Sequence, residues 1–542
     1  MKKYYIFFAI VSIIANLYSQ NTVGIISNSA EAYNGYTLFT SHKSTYLINN
    51  CGEIINKWTS NYIDGKSVYL LEDGSILRTG VIENTDISIP GIGGIIEKID
   101  WDDNVIWSYT YSSSSLTQHH DIYPMSNGNI LILALTKKTA AEAIQAGRDP
   151  ALLDDADLYN EQVIEIAPDL INGGASIVWE WNIWDHLIQD FDNTKDNFGV
   201  VSNSPQLLDI NYLGTSDKKA NWLHCNSIQY NEDLDEIIIS ARQMNEIYII
   251  DHSTTTLEAS LHSGGNRNKG GDILYRWGNP FAYGKGLESD QKLFGQHTPH
   301  WIPSTYNDGG KILLFNNGFG RSTEYSTVEI ISPEKDMSGN YTYTGAPYGP
   351  TNLDWSYQDP TTLTDFFSRI MSSAQRLPNG NTLICDSDSG YLFEIDNLKN
   401  KVWEYINPQR NNGDIIAQGD TPLGNLTFRA FKYELSYPAF TGRDLTPQGT
   451  IETGASLQPC SILSTKDAEF ADLKIFPNPV KNILNIKSKH NIDRIEVYNV
   501  IGKKIQSNYN SNKIDISYLS KGIYFVKINF KDKSISKKIV KQ

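Results

Sequence analysis

The 542-residue chain has no surplus of positive charge. Its 46 Lys and Arg face 62 Asp and Glu, a net charge of −16. Such a balance cannot displace the counterions of a phosphate backbone, so nucleic acid is excluded as a partner. Cysteine is also scarce. Cys51, Cys225, Cys385 and Cys460 are widely scattered and form no CxxC, which excludes a zinc knuckle. Four cysteines allow three disulfide pairings, and the sequence does not choose among them. No Gly-rich stretch opens a predicted helix: "GNPFAYGKG" and "NNGFGR" read as turns, so a phosphate-loop enzyme is excluded. Long apolar runs are missing outside residues 1–19, "MKKYYIFFAIVSIIANLYS". There two lysines precede an apolar run of about ten residues, too short to span a bilayer, and a small residue follows. Residues 1–19 are expected to be a secretory signal peptide, leaving an exported protein that is soluble or attached by other means.

What is abundant is a phrase of four β-rich runs. "SSAQRLPNGNTLICDSDSGYLFEIDNLKNKVWEY" (372–405) is its cleanest copy, and four more begin near residues 66, 119, 224 and 297. The first two runs are joined by an Asp/Asn-Gly turn, the third ends in an acidic residue, and the fourth carries Trp. Four strands per unit at intervals of tens of residues describe the blades of a β-propeller. Two partial pieces, 35–58 and 426–440, would combine as outer and inner strands of a sixth blade that closes the ring and removes exposed sheet edges. The expected fold class is therefore all-β: a six-bladed β-propeller over 20–450, followed by a small C-terminal β-sandwich. Two insertions, 136–162 (a short Ala-rich helix, then an acidic loop) and 185–214, are expected to wall the entrance of a site.

From 473 to 542 the composition inverts, with 15 Lys and Arg against 4 Asp and Glu. The tail thus carries +11 and the rest of the chain −27, which argues for a separate domain at 472–542 behind a linker at 451–471. Its "FPNPVKNILNI", "IEVYNVIGKKI", "IDISYLSKGIYFVKI" and terminal "KKIVKQ" resemble the C-terminal sorting domain of the Bacteroidetes type IX secretion system. That resemblance implies type IX secretion machinery as a partner, passage across the outer membrane, removal of the tail, and a secreted or surface location.

Only ten histidines occur, yet three consecutive repeats begin with one: His120, His224, and His297 or His300. The first strand of each propeller blade lines the central channel, so these residues converge. Three imidazoles could bind zinc with one position open, or share nucleophilic and acid–base work. Arg242 ends the second strand of the hairpin that His224 opens, which returns both to one mouth. A permanent cation repels a metal dication but clamps an anionic substrate, so the second reading is preferred and no metal or other cofactor is expected.

"HHDIYPMSNGNIL", "WLHCNSIQYNEDLDEIIISARQMNEIYIID", "LFGQHTPHWIP" and "GGKILLFNNGFGR" resemble the bacterial aryl-sulfate sulfotransferases across most of residues 60–440. These are six-bladed propellers that need no nucleotide sulfate donor. The resemblance implies His297 as the sulfated nucleophile, His224 and Arg242 as its catalytic companions, His120 as a further active-site histidine, and Asn226 in a His-x-Asn…Arg element. Arg321, His119 and His300 are further candidates for substrate contact or support. The implied reaction moves a sulfuryl group from a phenolic sulfate donor to an acceptor phenol in ping-pong order through a sulfohistidine. A non-catalytic propeller binding glycan or protein, a three-His metalloenzyme, and a sulfatase-like hydrolase remain alternatives.

Overall fold

A computed structural model describes residues 21–215, 218–455, 460, 473–489, 491–499, 503–531 and 533–542. The predicted signal peptide lies outside these residues, as does most of the predicted linker. The chain is all-β, built on antiparallel sheets, and divides into two compact units, Met1–Pro459 and Cys460–Gln542.

The first unit holds six principal sheets, five of four strands and one of five. In chain order their innermost strands are Asp64–Leu70, Leu116–Pro124, Cys225–Asn231, His297–Trp301, Ser373–Arg376 and Ala430–Glu434. The sixth sheet joins the chain ends, because Ala430–Glu434 pairs with Gly35–Ser41, which continues into two further N-terminal strands. A feature the sequence did not suggest is the fifth strand of the fifth sheet: Gly24–Asn28 pairs with Lys401–Ile406. Tight turns carry the expected glycines, Gly128 at φ 89° and Gly380 at φ 91°, where a side chain would be strained.

Period-two alternation sends neighbouring residues of one strand to opposite interfaces. Ile237 and Ile239 pack with Leu131 and Leu133 of the second sheet, while Ile238 packs with Ile312 and Leu314 of the fourth. Both faces of these second strands, Ile130–Thr139 and Glu236–Ala241, are thus buried along their apolar runs, which explains "ILILAL" (130–135). Equivalent clusters join the fourth sheet to the fifth, the fifth to the sixth, the sixth to the first, and the first to the second. The interfaces therefore return to their starting point.

A buried ion pair ties the inner strands together. Arg429, just before the sixth sheet's inner strand, donates to both carboxylate oxygens of Asp121 in the second sheet, at 2.5 and 2.8 Å. Asp121 also accepts from the Ser67 hydroxyl of the first sheet and the Ile228 N–H of the third. One carboxylate so unites four sheets, its hydrogen bonds offsetting the cost of burying the charge.

The second unit has a three-stranded sheet (Lys474–Phe476, Ile483–Lys487, Lys513–Asp515) and a four-stranded sheet (Arg494–Asn499, Lys504–Tyr509, Gly522–Phe530, Lys533–Lys541). Leu484, Ile486 and Ile514 of the first share a core with Ile495, Val497, Val526 and Ile528 of the second. Cys225 and Cys385 are free and buried, while Cys51 and Cys460 are disulfide-bonded.

Candidate active site

At the leading ends of the inner strands a cavity of about 610 Å³ is lined by His120, His224, Arg242 and His297, with Lys66, Lys219, Asp155 and Tyr159. The four residues expected to be catalytic thus come together. Asp155 and Tyr159 belong to the first insertion, whose Ala140–Gln145 helix is closed by a Thr139–Glu142 capping box.

Local backbone geometry aims these side chains. The inner strands of the first four sheets each contain a bulge near the cavity. Beside each bulge sits a non-glycine residue in the left-handed region: Lys66 (φ 97°), His120 (51°), His224 (49°) and Thr298 (50°). Such conformations persist only where surrounding structure holds them, and they cluster at functional sites. They also correct the repeat equivalence. In the fourth sheet the left-handed residue is Thr298, so His297 sits one position earlier and corresponds to His119 rather than to His120. The paired "QHH" and "QHT" (118–120 and 296–298) carry this register in the sequence.

Hydrogen-bond partners fix the protonation of each imidazole. His297 Nδ1 lies 2.8 Å from Asn317 Oδ1 and 3.0 Å from the Gly295 carbonyl. Both accept, so Nδ1 carries the hydrogen and Nε2 the lone pair. That lone pair faces the Met371 backbone N–H at 3.1 Å, on a residue itself left-handed at φ 55°. For His120 the chain is longer. Glu161 faces His119 Nε2 at 3.0 Å, and His119 Nδ1 faces His120 Nδ1 at 2.9 Å. With the His119 hydrogen directed to the carboxylate, His120 donates from Nδ1 and keeps its lone pair on Nε2. His224 is the opposite case: Asn221 Nδ2 donates to its Nδ1 at 2.8 Å, leaving Nε2–H as its donor. The rings of His120 and His224 are 4.8 Å apart.

Burial holds all three imidazoles neutral. It pushes His297 down to about 3, helped by the nearby Arg242 cation, and pushes His120 and His224 well below the usual histidine range. Arg242 follows Ala241, and its N–H donates to the His224 carbonyl at 3.2 Å, as the hairpin argument required. Among the described residues its guanidinium has no hydrogen bond or ion pair; its one contact of note is the Phe319 ring, 5.6 Å away. Other interior arginines are satisfied: Arg78 pairs with Glu97, Arg276 with Glu246 and Arg429 with Asp121, and Arg148 donates to the Ile210 and Leu152 carbonyls.

The remaining candidates lie outside the cavity lining. Asn226 is fully buried and donates to the Gln296 carbonyl at 2.8 Å, fixing the backbone before His297. His119 orients His120. His300 faces the Thr298 carbonyl from the far side of the bulge. Arg321 binds the Tyr325 carbonyl and Thr327 hydroxyl and lies 3.5 Å from Glu329. Sequence reasoning missed Asn317, Asn221 and Glu161, which set the tautomers. "NNG" (316–318) was visible as a turn, but nothing in it marks Asn317 as a partner of a histidine 20 residues earlier.

The arylsulfotransferase (ASST) family model matches residues 16–420, and the secretion system C-terminal sorting domain model matches 474–542. No curated protein matches the chain. Among solved structures, a protein of unknown function from Bacteroides caccae is 10% identical, with 74% of this chain and 98% of that one covered and a TM-score of 0.38. A putative 6-phosphogluconolactonase from Bacteroides fragilis is 9% identical (75% and 99% covered, TM-score 0.34). A virginiamycin B lyase from Staphylococcus aureus is 12% identical (71% and 88%, TM-score 0.32). Likenesses so slight carry no weight for fold or function.

Proposed function

The chain belongs to the arylsulfotransferase (ASST) family, matched over residues 16–420, and from that premise we propose that it transfers a sulfuryl group between phenols through a sulfated His297. We read the first unit as a six-bladed propeller, spanning 20–450, and the second as a small β-sandwich. The observation that carries the chemical reading is the unpartnered Arg242 guanidinium among three neutral imidazoles of fixed tautomer. A cation left unpaired in a partly buried cavity is arranged for an anion, here the single negative charge of a sulfate ester.

In the first half-reaction His297 Nε2 attacks sulfur, the N–S bond forms and the S–O bond to the aryl group breaks. The phenolate leaves toward the His224 Nε2–H. Asn317 and the Gly295 carbonyl hold the Nδ1 hydrogen while the ring gains positive charge. Arg242 faces the sulfuryl oxygens, as a donor to developing charge does, and the Met371 N–H that meets the Nε2 lone pair at rest is released as the N–S bond forms. In the second half-reaction the acceptor phenol gives its proton to His120 Nε2, its oxygen bonds sulfur, and the N–S bond breaks. His297 returns neutral, and the proton on His120 passes to the departed phenolate through solvent.

The three-His zinc alternative is disfavoured because the Arg242 guanidinium on the same cavity opposes a dication. The sorting domain at 474–542 indicates export to the cell surface or medium through its secretion machinery. We further propose that residues 1–19 and the tail are removed on the way.

The test is release of 4-nitrophenol from its sulfate ester, with and without added phenol. Phenol should accelerate release and appear as phenyl sulfate, and a peptide containing His297 should gain an acid-labile sulfuryl mass. Release that ignores phenol and yields free sulfate would make the protein a hydrolase instead.

A further inference from the structure

A second group of histidines shares no residue with the cavity. His186 ends the 3-10 turn Ile183–His186 that follows the second sheet, and His262 and Asp272 bracket a loop between two strands of the third. His186 Nδ1 and His262 Nδ1 converge on the same atom, Asp272 Oδ1, at 2.9 and 2.7 Å. Among the described residues this is the only trio of His, Cys, Asp or Glu whose ligand atoms all lie within 4.8 Å of one another.

Both Nδ1 atoms of the trio thus face one carboxylate oxygen, the arrangement in which a shared ion or a shared hydrogen can sit. His186 Nε2 lies 2.8 Å from the Ala259 carbonyl, which can only accept, so Nε2 carries a hydrogen. In a neutral ring the Nδ1 lone pair then points at a carboxylate oxygen, acceptor against acceptor. Without a metal the contacts close only with His186 as an imidazolium, both its nitrogens donating, and a neutral His262 donating from Nδ1, the two ring centroids 5.8 Å apart. A dication among the three ligand atoms, which lie within 4.8 Å of one another, answers the same contacts by coordination and leaves both rings neutral. A ring N–H directed to a backbone carbonyl is also the usual orienting bond of a metal-binding histidine.

The surroundings are shaped for this arrangement. His186 is fully buried and lies flat on Trp181, at 8° between planes, and Trp181 Nε1 donates to the Gly271 carbonyl. A Cβ on Gly271 would collide with both His186 and the Ala259 carbonyl, so only glycine lets the loop pass beside the ring. Gly270, at φ 58°, turns the chain into that passage. His262 remains 62% exposed in its side chain, which leaves one side of the trio open to water.

We propose that His186, His262 and Asp272 bind one divalent transition-metal ion of the zinc class, clipping the loop of the third sheet to the segment behind the second. Two imidazole nitrogens and one carboxylate oxygen suit zinc, whereas calcium and magnesium favour all-oxygen sets. Water completes the coordination.

Full-length protein stripped with a chelator is titrated with zinc chloride against a chromophoric competitor, and its melting temperature is followed in parallel. One equivalent should bind and raise the melting temperature. His262→Ala, an exposed change that spares the core, should weaken zinc more than tenfold and abolish the thermal response. His297→Ala, which alters the other histidine cluster, should keep both. The proposal is overturned if the native chain takes up no stoichiometric zinc, if His262→Ala binds as tightly as the native chain, or if the bound equivalent is lost in His297→Ala.

Discussion

Three imidazoles line one cavity, yet each presents a different face: an Nε2 lone pair on His297 and on His120, the first met by a backbone N–H, and an Nε2–H on His224. The difference comes from neighbours, because burial keeps all three neutral alike. Arg242 completes the set as the cation. Arg242→Ala should leave the nucleophile in place and lower turnover on the order of a hundredfold or more, the scale for one lost donor to developing charge. Arg242→Lys should recover only part, since an ammonium lacks the planar fork. Steady-state kinetics with 4-nitrophenyl sulfate measures both, and near-native turnover in Arg242→Ala would remove the anion role. Residue identity at these positions was legible because histidine is rare and repeat starts are countable. The tautomers were not, because Asn317, Asn221 and Glu161 become partners only through folding.

At the level of the element, the hairpin of the third sheet does what its spacing implied, returning Arg242 to His224. The bulges were invisible: they change which residue faces inward without changing composition, and so displaced His297 by one position from the presumed equivalence. A loop of the first sheet adds a further constraint. Gly91, at φ 77°, accepts from the His120 N–H at 2.7 Å, and a Cβ there would run into the His120 ring. Gly91→Ala should therefore cut turnover at least tenfold by tilting the proton acceptor, beyond the roughly 1 kcal/mol that left-handed alanine costs in stability. Parallel melting curves and rates separate the two effects; a loss of stability with full activity would show that the ring tolerates displacement.

Across the whole molecule, histidines of opposite behaviour shape stability against pH. His252 is opposed by burial, but its bonds to Asp235 and Glu165 outweigh that and raise it to about 9. Its contribution is complete below the ordinary histidine value of about 6.5 and fades as pH rises through about 9. His297, held down to about 3, acts the other way: its contribution is complete above about 6.5 and fades as pH falls toward about 3. The melting temperature should form a dome centred near neutrality, and His252→Gln should flatten only its alkaline side. An unchanged alkaline limb in that variant would remove His252 as the cause. The pairing of Gly35–Ser41 with Ala430–Glu434 was legible in outline from the two partial pieces, whereas the strand Gly24–Asn28 was not, since its partner lies far off in the sequence.

That pairing of ends, together with the Asp121–Arg429 contact, has a temporal meaning. Gly35–Ser41 stays an unpaired edge, and Asp121 a buried charge without its counterion, until the ribosome or the translocon has delivered residues 429–434. A chain cut before residue 429 should therefore fail to hold His120, which adjoins Asp121, in place. The cavity is thereby completed last, once residues 429–434 have come back to the strands laid down first.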